Sequence, residues 1–354
     1  MLNVAKPPEV FRRLKNNRGG YFGMKKFLSL LLAVVLCLCL CVCALAEEPI
    51  VVKIASTQSP EMNAIKCLNA FAEDVKEKTG GKVIVQVYPS SQLGDHRDYL
   101  EGIAMGTVEM CLIATSAIES LDERFALFGV PGLFKSSEHV HAFYETETCQ
   151  EIFEKFRQDY GVMTVGLYDE GIRNVWLSEK PAASLADFQG IKLRVPEVAV
   201  YVAMFGALGF NTTPMAWSEC YTGLQTGVIE GVENNVEMIT SSNLTDVIKY
   251  QVKTEHIYST LLLLMNEDVY NRMDEETRVI FMQCVEDCNK ATLESFTKGQ
   301  ETANAQAAQA GVEVIELSEE NRKAIDEVLM GVTRDTLSGL FDESIYDIIA
   351  NVEY

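Results

Sequence analysis

Short apolar segments alternate with amphipathic segments in the part of the chain that follows residue 49. Strand-like apolar runs and helix-like spacing of apolar residues follow one another along Ile50–Ile54, Ala64–Val75, Lys82–Tyr88, Tyr99–Met105 and Val108–Ile113. Gly80 and Gly81 end the first helix. This alternation predicts an α/β fold in which helices cover a parallel sheet. Ligands of such sheets bind beyond the carboxyl ends of the strands.

The rest of the chain continues with strands and helices and has no repeat or low-complexity linker. Strands are predicted at Gly161–Tyr168, Ile191–Val195, Val228–Val232 and Thr260–Met265, and helices at Val198–Leu208 and Trp217–Gly223. The segment from Asp274 to about Ala310 has no proline and only Gly299 as glycine, so it predicts one long helix, kinked near that glycine. Structured segments must therefore cross any domain boundary, which predicts a hinge.

A separate pattern at the N-terminus predicts export. The basic start Met24–Lys26 precedes the apolar run Phe27–Ala46, which ends in Ala44-Leu45-Ala46 before Glu47. This is the layout of a cleaved secretory signal. Residues 1–46 are thus predicted to be a signal with an over-extended start, and Met24 to be the initiator. The alternative is an uncleaved anchor, because a run of roughly 20 apolar residues can span a membrane. The protein is then either periplasmic or held at the cell surface.

The exported part is strongly acidic. The whole chain of 354 residues has 30 Lys and Arg residues and 51 Asp and Glu residues. Residues 1–46 contain seven of the basic residues and one of the acidic residues. The remaining 308 residues, which are enough for two domains, therefore carry a net charge near −27. Such a surface repels nucleic acid and anionic lipid. Any anion site must supply its own local positive charge.

Patterns of catalysis and metal binding are missing from the sequence. It has no nucleophile elbow, phosphate loop or metal-ligand cluster, so neither an enzyme nor a cofactor is predicted. The histidines at 139 and 141 are expected on an amphipathic helix. The six cysteines of the exported part, which form no CxxC, are expected to be buried free thiols: Cys67, Cys111, Cys149, Cys220, Cys284 and Cys288.

An arginine near a strand end is the first candidate for ligand binding. Alternation places Leu193 on one face of its strand and Arg194 on the other, and Pro196 ends the strand directly afterwards. A guanidinium held on a stiff strand is well placed for a two-pronged contact with a carboxylate. A surface salt bridge is the alternative for Arg194, and equally for Arg173.

Several spaced motifs in this region resemble one family. They are GIR at 171–173, LADFQGIKLRVP at 185–196, GALGFNTTPMAWSECYTGLQTGVIEGVEN at 206–234, YPSSQLGDHRDYLEGIAMGTVEM at 88–110 and VPGLF at 130–134. Together they resemble the DctP-type substrate-binding proteins of tripartite ATP-independent periplasmic (TRAP) transporters. The resemblance covers about half of the exported chain, in the family's order.

The resemblance implies the fold and the carboxylate site. The expected fold is the two-domain, clamshell periplasmic-binding-protein fold with a long helix that spans both domains. Arg194 corresponds to the arginine that pairs with the ligand carboxylate, Arg173 to a second positive group, and Asn234 to an asparagine that hydrogen-bonds the same carboxylate. Trp217 occupies a place where an aromatic residue packs on the ligand, with a core aromatic as the alternative. The family usually has proline after the asparagine, where this chain has Asn235.

The first domain is expected to contact the rest of the ligand. Its candidates follow strand ends or lie in the loop before the second helix, and they are Gln58, His96, Arg97 and Thr115, with Thr57 and Ser116 beside them. The predicted first domain comprises residues 50–171 plus about 259–300, and the second comprises 172–258 plus about 301–354. The two are expected to close on the ligand by a hinge motion.

The expected function is extracytoplasmic capture of a small organic acid, by a monomer, for delivery to the membrane subunits of a TRAP transporter. C4-dicarboxylates, hydroxy acids, keto acids and sugar acids all satisfy one carboxylate contact, and we favour a sugar acid. A dicarboxylate needs a second cation, for which Arg97 is the candidate. The alternative function is a sensor of the same fold that passes its signal to another protein.

Overall fold

The computed structural model describes residues 48–342 and 344–354. The predicted export signal and the Met24 start lie outside these residues. Pro49–Tyr354 form one compact unit. Within the described part of the chain, no helix is both long and apolar enough to cross a membrane.

Strands and helices alternate along most of the described chain. The strands are β1 (Ile50–Ser56), β2 (Val83–Tyr88), β3 (Met110–Ala114), β4 (Val162–Leu177), β5 (Lys192–Val195), β6 (Asn211–Pro214), β7 (Gly231–Asn234), β8 (Tyr250–Asn266) and β9 (Glu313–Ile315). The first six helices are α1 (Asn63–Lys78), α2 (His96–Ala104), α3 (Ser137–Tyr144), α4 (Glu147–Tyr160), α5 (Leu185–Phe188) and α6 (Ala199–Ala207). The next six are α7 (Cys220–Thr226), α8 (Val236–Ser241), α9 (Glu267–Arg272), α10 (Glu275–Gln309), α11 (Glu319–Leu337) and α12 (Ser344–Ala350). Short 3-10 turns lie at Thr115–Ser120, Glu123–Gly129, Trp217–Glu219 and Leu244–Asp246.

One sheet runs through the molecule in the order β2-β1-β3-β8-β4-β7-β5-β6, with β9 paired to β8. At one end, β1 lies parallel to both β2 and β3, and at the other end β5 lies parallel to both β6 and β7. We call the first group with its helices the first lobe and the second group with its helices the second lobe. Each lobe thus has the parallel arrangement that strand–helix alternation produces.

The two long strands join the lobes. β4 and β8 pair antiparallel along most of their length, from Val162 with Asn266 to Leu177 with Tyr250. β3 of the first lobe pairs with the Leu261–Met265 end of β8, whereas β7 of the second lobe pairs with the Asn174–Leu177 end of β4. The chain therefore passes between lobes within hydrogen-bonded strands. The sequence pattern indicated only the first half of β4 and the last part of β8, and it indicated neither β6 nor β9.

Helix α10 packs against both lobes. It contacts α1 of the first lobe, α8 of the second lobe and the shared strand β4. Asp274 caps its N-terminus by accepting a hydrogen bond from the backbone N–H of Thr277, at 2.8 Å. The predicted long helix is confirmed as one continuous element of 35 residues that spans both lobes. The predicted residue boundaries of the two domains stay a prediction.

Two hydrophobic clusters hold the helices on the sheet. The larger one takes in buried residues of both lobes, among them Ile54, Leu263 and Phe205. The smaller one surrounds Trp176 and Trp217 and includes buried residues of β7, α7, α8 and the C-terminal half of α10. All six cysteines of the described part are free, and all except the partly buried Cys67 are buried, as predicted.

Candidate functional site

The carboxyl ends of four strands meet at one cavity between the lobes. On the first-lobe side, residues that follow β1 and β3 line it together with the start of α2, and their polar side chains are Thr57, Gln58, His96 and Ser116. On the second-lobe side, the polar and aromatic lining comes from β4, β5, α6, β7 and the turn before α7, through Glu170, Arg173, Arg194, Tyr201, Asn234 and Trp217. The space between its lining atoms, including the part that is open to solvent, is about 390 Å³. Its position matches the rule that ligands of open α/β sheets bind beyond the strand ends.

Arg194 is a buried cation of this cavity. It lies on β5, which pairs with β7 and β6, and only 3% of the residue is exposed. Its Nε donates a hydrogen bond to the backbone carbonyl of Met215, at 2.8 Å. Among the described residues, no carboxylate forms an ion pair with Arg194. A buried guanidinium normally has an anionic partner, so this one is ready to receive a ligand anion.

Trp217 supports the guanidinium from one side. The Cζ of Arg194 lies 5.3 Å from the centroid of the Trp217 ring, which is within the range of a cation–π contact. The indole Nε1 donates to the hydroxyl of Ser242, at 3.2 Å, and the ring belongs to the smaller hydrophobic cluster. Trp217 therefore lines the cavity and also packs in the core, so both sequence-based alternatives describe part of its environment.

Arg173 is held by two glutamates. Its Nε and Nη2 each lie 2.8 Å from a carboxylate oxygen of Glu233, and its Nη1 lies 3.3 Å from Oε2 of Glu170. Burial opposes the charged form of Arg173, but the two carboxylates outweigh it and raise its pKa. Burial also tends to raise the pKa of Glu233, yet Arg173 and a hydrogen bond from His256 lower it overall. Arg173 is thus a cation already paired with two carboxylates rather than an unpaired cation.

His256 completes this buried group from β8. Its Nε2 lies 3.2 Å from Oε2 of Glu233, and its Nδ1 lies 2.9 Å from the hydroxyl of Thr254. Burial lowers the pKa of His256 despite the neighbouring carboxylate. A neutral ring fits both contacts, because Nε2–H donates to Glu233 while Nδ1 accepts from Thr254. Glu233 and Arg173 are therefore fixed in place before any ligand arrives.

Two glycines of the recognised motifs allow this packing. A Cβ on Gly231 would lie 2.6 Å from Cδ2 of Leu177 and 2.7 Å from the carbonyl of Trp176, so only glycine lets β7 approach β4 here. Gly171 has a φ of +90° at a register shift of β4, which favours glycine. These positions bring Glu170, Arg173 and Glu233 together.

Asn234 lies at the end of β7 beside the arginines. Its Oδ1 accepts hydrogen bonds from the backbone N–H and the side-chain amide of Asn235, at 2.9 and 3.1 Å. Asn235 in turn caps α8, because its Oδ1 accepts from the backbone N–H of Met238. The asparagine that replaces the family's usual proline thus fixes the loop by hydrogen bonds. No hydrogen bond from the Nδ2 of Asn234 is found among the described residues, and Asn234 lines the cavity.

The first-lobe side of the cavity is polar and uncharged. Nε2 of His96 lies 3.1 Å from the hydroxyl of Thr57. Burial lowers the pKa of His96 to about 4, since the opposing effect of Asp95 is outweighed and Arg194 and Arg173 disfavour a further cation. The imidazole is therefore neutral at neutral pH. Gln58 lies beside it and donates from Nε2 to Oε1 of Glu170, at 3.3 Å.

Direct hydrogen bonds connect the two lobes across the cavity. Asp95 caps α2 and also accepts from the hydroxyl of Ser218, at 3.1 Å. The hydroxyls of Ser116 and Tyr201 lie 3.2 Å apart. These contacts join α2 and the turn after β3 to the second lobe, so the lobes lie closed against each other.

Six of the eight predicted site residues line the cavity, and two do not. Arg97 lies on the outer side of α2, where its side chain is 77% exposed and pairs with Glu101 four residues along. Thr115 is buried, but its hydroxyl bonds to Thr260 and Tyr144 within the first lobe. Helix geometry turns Arg97 away because the adjacent residue, His96, takes the inward position.

Two residues of the site, and the function of a third, were not predicted from the sequence. Glu170 and Tyr201 line the cavity, and Glu233 fixes Arg173. The signal for Glu170 was an acidic residue placed directly before the glycine of the GIR motif. Tyr201 carried no such signal, because a tyrosine in an apolar helix also fits the core.

Comparisons with known proteins agree with this architecture. Residues 52–338 match the family described as bacterial extracellular solute-binding protein, family 7, DctP. A solute-binding protein of Roseobacter denitrificans is 34% identical over 65% of this chain and 68% of its own length. The C4-dicarboxylate-binding periplasmic protein DctP of Rhodobacter capsulatus is 28% identical over 90% of this chain and 95% of its own length.

Solved structures give the same result. A TRAP periplasmic solute-binding protein of Anaerococcus prevotii, with bound D-glucuronate, superimposes with a TM-score of 0.80 at 28% identity and covers 86% of this chain and 98% of its own. The two-lobed fold and site define a solute-binding protein. The chain belongs to the bacterial extracellular solute-binding proteins of family 7.

Membership confirms several expectations. It confirms the resemblance to DctP-type proteins of TRAP transporters and the two-domain α/β fold. It also confirms a binding rather than an enzymatic role. Proteins of this group bind small carboxylate ligands and work with the membrane subunits of a transporter. The family is periplasmic.

Proposed function

We propose that this protein captures a small organic acid by pairing the ligand carboxylate with Arg194, and delivers it to a TRAP transporter. The observation that carries the proposal is a buried guanidinium that lines the cavity and has no ion-pair partner among the described residues. A ligand carboxylate supplies the missing anion through charge-assisted, two-pronged hydrogen bonds. The Nδ2 of Asn234 is a further donor to the same carboxylate, and Trp217 holds the guanidinium in place.

In this proposal, Arg173 is not the second positive group for the ligand carboxylate that the sequence led us to expect. Both of its strong contacts go to Glu233, so it contributes a fixed, already balanced charge. It positions the site and contacts the ligand only at the edge of its guanidinium. Gln58 and His96 contact the other end of the ligand as neutral hydrogen-bonding groups.

The relatives support an acid as the ligand. The Rhodobacter capsulatus relative is described as C4-dicarboxylate-binding, and the Anaerococcus prevotii structure contains D-glucuronate. Both compounds offer a carboxylate to an arginine. The strongly acidic exported chain repels anions at long range, which makes the local charge of Arg194 the basis of recognition.

Further parts of the proposal concern the protein's state in the cell. The protein acts as a monomer that is exported by the signal predicted at residues 1–46, either released into the periplasm or retained at the membrane by the same segment. The predicted domains, 50–171 with about 259–300 and 172–258 with about 301–354, open and close about the shared strands. Ligand binding favours the closed arrangement by desolvating the Arg194–carboxylate pair.

A thermal-shift screen tests this proposal. The purified protein is heated with aldonates, uronates, hydroxy acids, keto acids and C4-dicarboxylates, together with the matching neutral sugars and amides as controls. At least one acid should raise the melting temperature, since a ligand that binds only the folded state at 100 times its Kd stabilises by about 2.7 kcal/mol. The matching neutral compound should have no effect. Stabilisation by no acid at all would contradict the proposed function.

A further inference from the structure

Two arginines and two glutamates form the charged part of the cavity. Arg194, Arg173 and Glu170 line it, and Glu233 directly pairs with Arg173. The four charges sum to zero before a ligand enters. Because Arg173 contacts both glutamates, Arg194 is the arginine that can balance a ligand charge. A ligand with one carboxylate therefore brings the summed charge to −1, and a ligand with two carboxylates brings it to −2.

Glu170 is a buried carboxylate of the cavity that pairs with Arg173. Only 4% of the residue is exposed. Its Oε2 accepts hydrogen bonds from the hydroxyl of Ser259, at 2.5 Å, and from Nη1 of Arg173, at 3.3 Å. Its Oε1 accepts one bond, from Nε2 of Gln58. Since each carboxylate oxygen can accept two bonds, Oε1 has one acceptor position left.

Gln58 provides a second free acceptor next to the first. The residue is 2% exposed and lines the cavity, and its Oε1 is buried with no hydrogen-bond partner among the described residues. Buried polar atoms in proteins are nearly always hydrogen-bonded. An unpartnered buried oxygen in a binding cavity therefore points to a donor on the ligand. A hydroxyl group is such a donor, whereas a carboxylate is not.

We propose that Glu170 makes this protein select acids with a single carboxylate and hydroxyl groups at the other end. The inference rests on the proposed function, in which Arg194 pairs with the ligand carboxylate. The first carboxylate is then balanced by Arg194. A second ligand carboxylate would lie without a cationic partner in the buried cavity beside Glu170, where like charges repel strongly. Hydroxyls in the same place donate to Oε1 of Glu170 and Oε1 of Gln58.

Matched acids test the inference on the unaltered protein. D-Gluconate and D-glucarate share one carbon skeleton and differ only in a terminal hydroxymethyl or carboxylate group, and the same holds for D-galactonate with galactarate and for L-threonate with L-tartrate. We expect isothermal titration at pH 7.5 to show, for at least one pair, that the monoacid binds at least about tenfold more tightly than the diacid. A tenfold difference in Kd requires only about 1.4 kcal/mol of repulsion.

The variant Glu170→Gln tests the residue itself. Removal of the negative charge should reduce the preference for the monoacid by about tenfold or more, chiefly by strengthening the diacid. Glu197→Gln is the matched control, since it makes the same change on an exposed residue between two cavity-lining neighbours. It should leave the preference unchanged. Circular dichroism shows whether each variant is folded.

The outcomes separate this inference from the proposed function. Equal or tighter binding of the diacid in the unaltered protein overturns the selection by charge, while capture by Arg194 stands. Failure of all three pairs to bind, when another acid stabilises the protein, also overturns the inference alone. If a folded Glu170→Gln variant keeps the same preference for the monoacid over the diacid, Glu170 does not cause the selection. If that variant does not fold, the matched acids alone decide. Stabilisation by no acid in the wider screen overturns the proposed function.

Discussion

The substitution Arg194→Met separates an arginine that binds a ligand from one that holds the fold. Its guanidinium makes one hydrogen bond, to the carbonyl of Met215, and stacks on Trp217, with no ion pair among the described residues. The hydrogen bond contributes about 0.5–1.5 kcal/mol, and removal of a buried, unpaired charge works in the opposite direction. The free energy of unfolding without ligand should therefore change by no more than about 1.5 kcal/mol.

The effect on affinity should be much larger than the effect on stability. Hydrogen bonds to charged groups contribute about 1.5–3 kcal/mol, so loss of the guanidinium should weaken binding of the acid by about 10- to 150-fold. Urea unfolding without ligand and isothermal titration with the best acid of the screen measure the two quantities. Arg97→Met is the control, because the ion pair of that exposed arginine within the described part of the chain is with Glu101, and neither quantity should change. A loss of stability above about 3 kcal/mol with unchanged affinity would refute the reasoning and make Arg194 a structural residue.

Two further substitutions test the charged groups around Arg194. Arg173→Met leaves Glu233 and Glu170 buried without their cation, so urea unfolding should show a loss of about 3–5 kcal/mol; a loss below about 1 kcal/mol would show that the ion pairs are dispensable. His96 has its pKa lowered to about 4, against about 6.5 in an unfolded chain. Between these values only the unfolded state binds the proton, so the free energy of unfolding falls as the pH falls, by up to about 1.4 kcal/mol per pH unit. His96→Gln should remove that part of the slope between pH 6.5 and 4.5, and an unchanged slope would show that His96 protonates freely in the folded protein.

The first lobe was predictable from local patterns, because its strands are largely apolar and alternate with amphipathic helices. β1, α1 and the long helix α10 follow their sequence signals within a few residues. The long antiparallel strands were predicted only in part. Polar residues such as Asp169, Glu170 and Arg173 interrupt the apolar pattern of β4, and all three are buried. Tyr258 of the neighbouring strand β8 donates to Asp169, and Arg173 pairs with Glu233 of β7. A single sequence does not show such pairing.

The site was predictable where a motif fixes the backbone and unpredictable where long-range packing decides. Arg194, Asn234 and Trp217 lie in the recognised motifs, and all three line the cavity. Thr115 and Arg97 were chosen by position after a strand or in a loop. The hydroxyl of Thr115 bonds instead to Thr260, far away in the sequence, and Arg97 lies on the outer side of α2 and pairs with Glu101. The pairing of Arg173 with two glutamates required the register of β4 against β7, which places Val175 opposite Glu233. That register follows from the closed sheet rather than from any local signal.

The departure at Asn235 shows how one fold position can be stabilised in two ways. Proline, usual at this place in the family, fixes the backbone through its ring. Asn235 instead caps α8 and binds the side chain of Asn234. The sequence shows the change of residue, and only the structure shows that the loop after β7 keeps its hydrogen bonds.

The central claim is that Arg194 receives the carboxylate of the captured acid, and a crystal structure of the protein with the best acid of the screen tests it most directly. Hydrogen bonds from the guanidinium of Arg194 to both oxygens of one ligand carboxylate, at about 2.7–2.9 Å, are the predicted result. Arg173 should still pair with Glu233 in that structure. A ligand whose carboxylate lies away from Arg194, or whose only contact with that residue is a hydroxyl, would contradict the account.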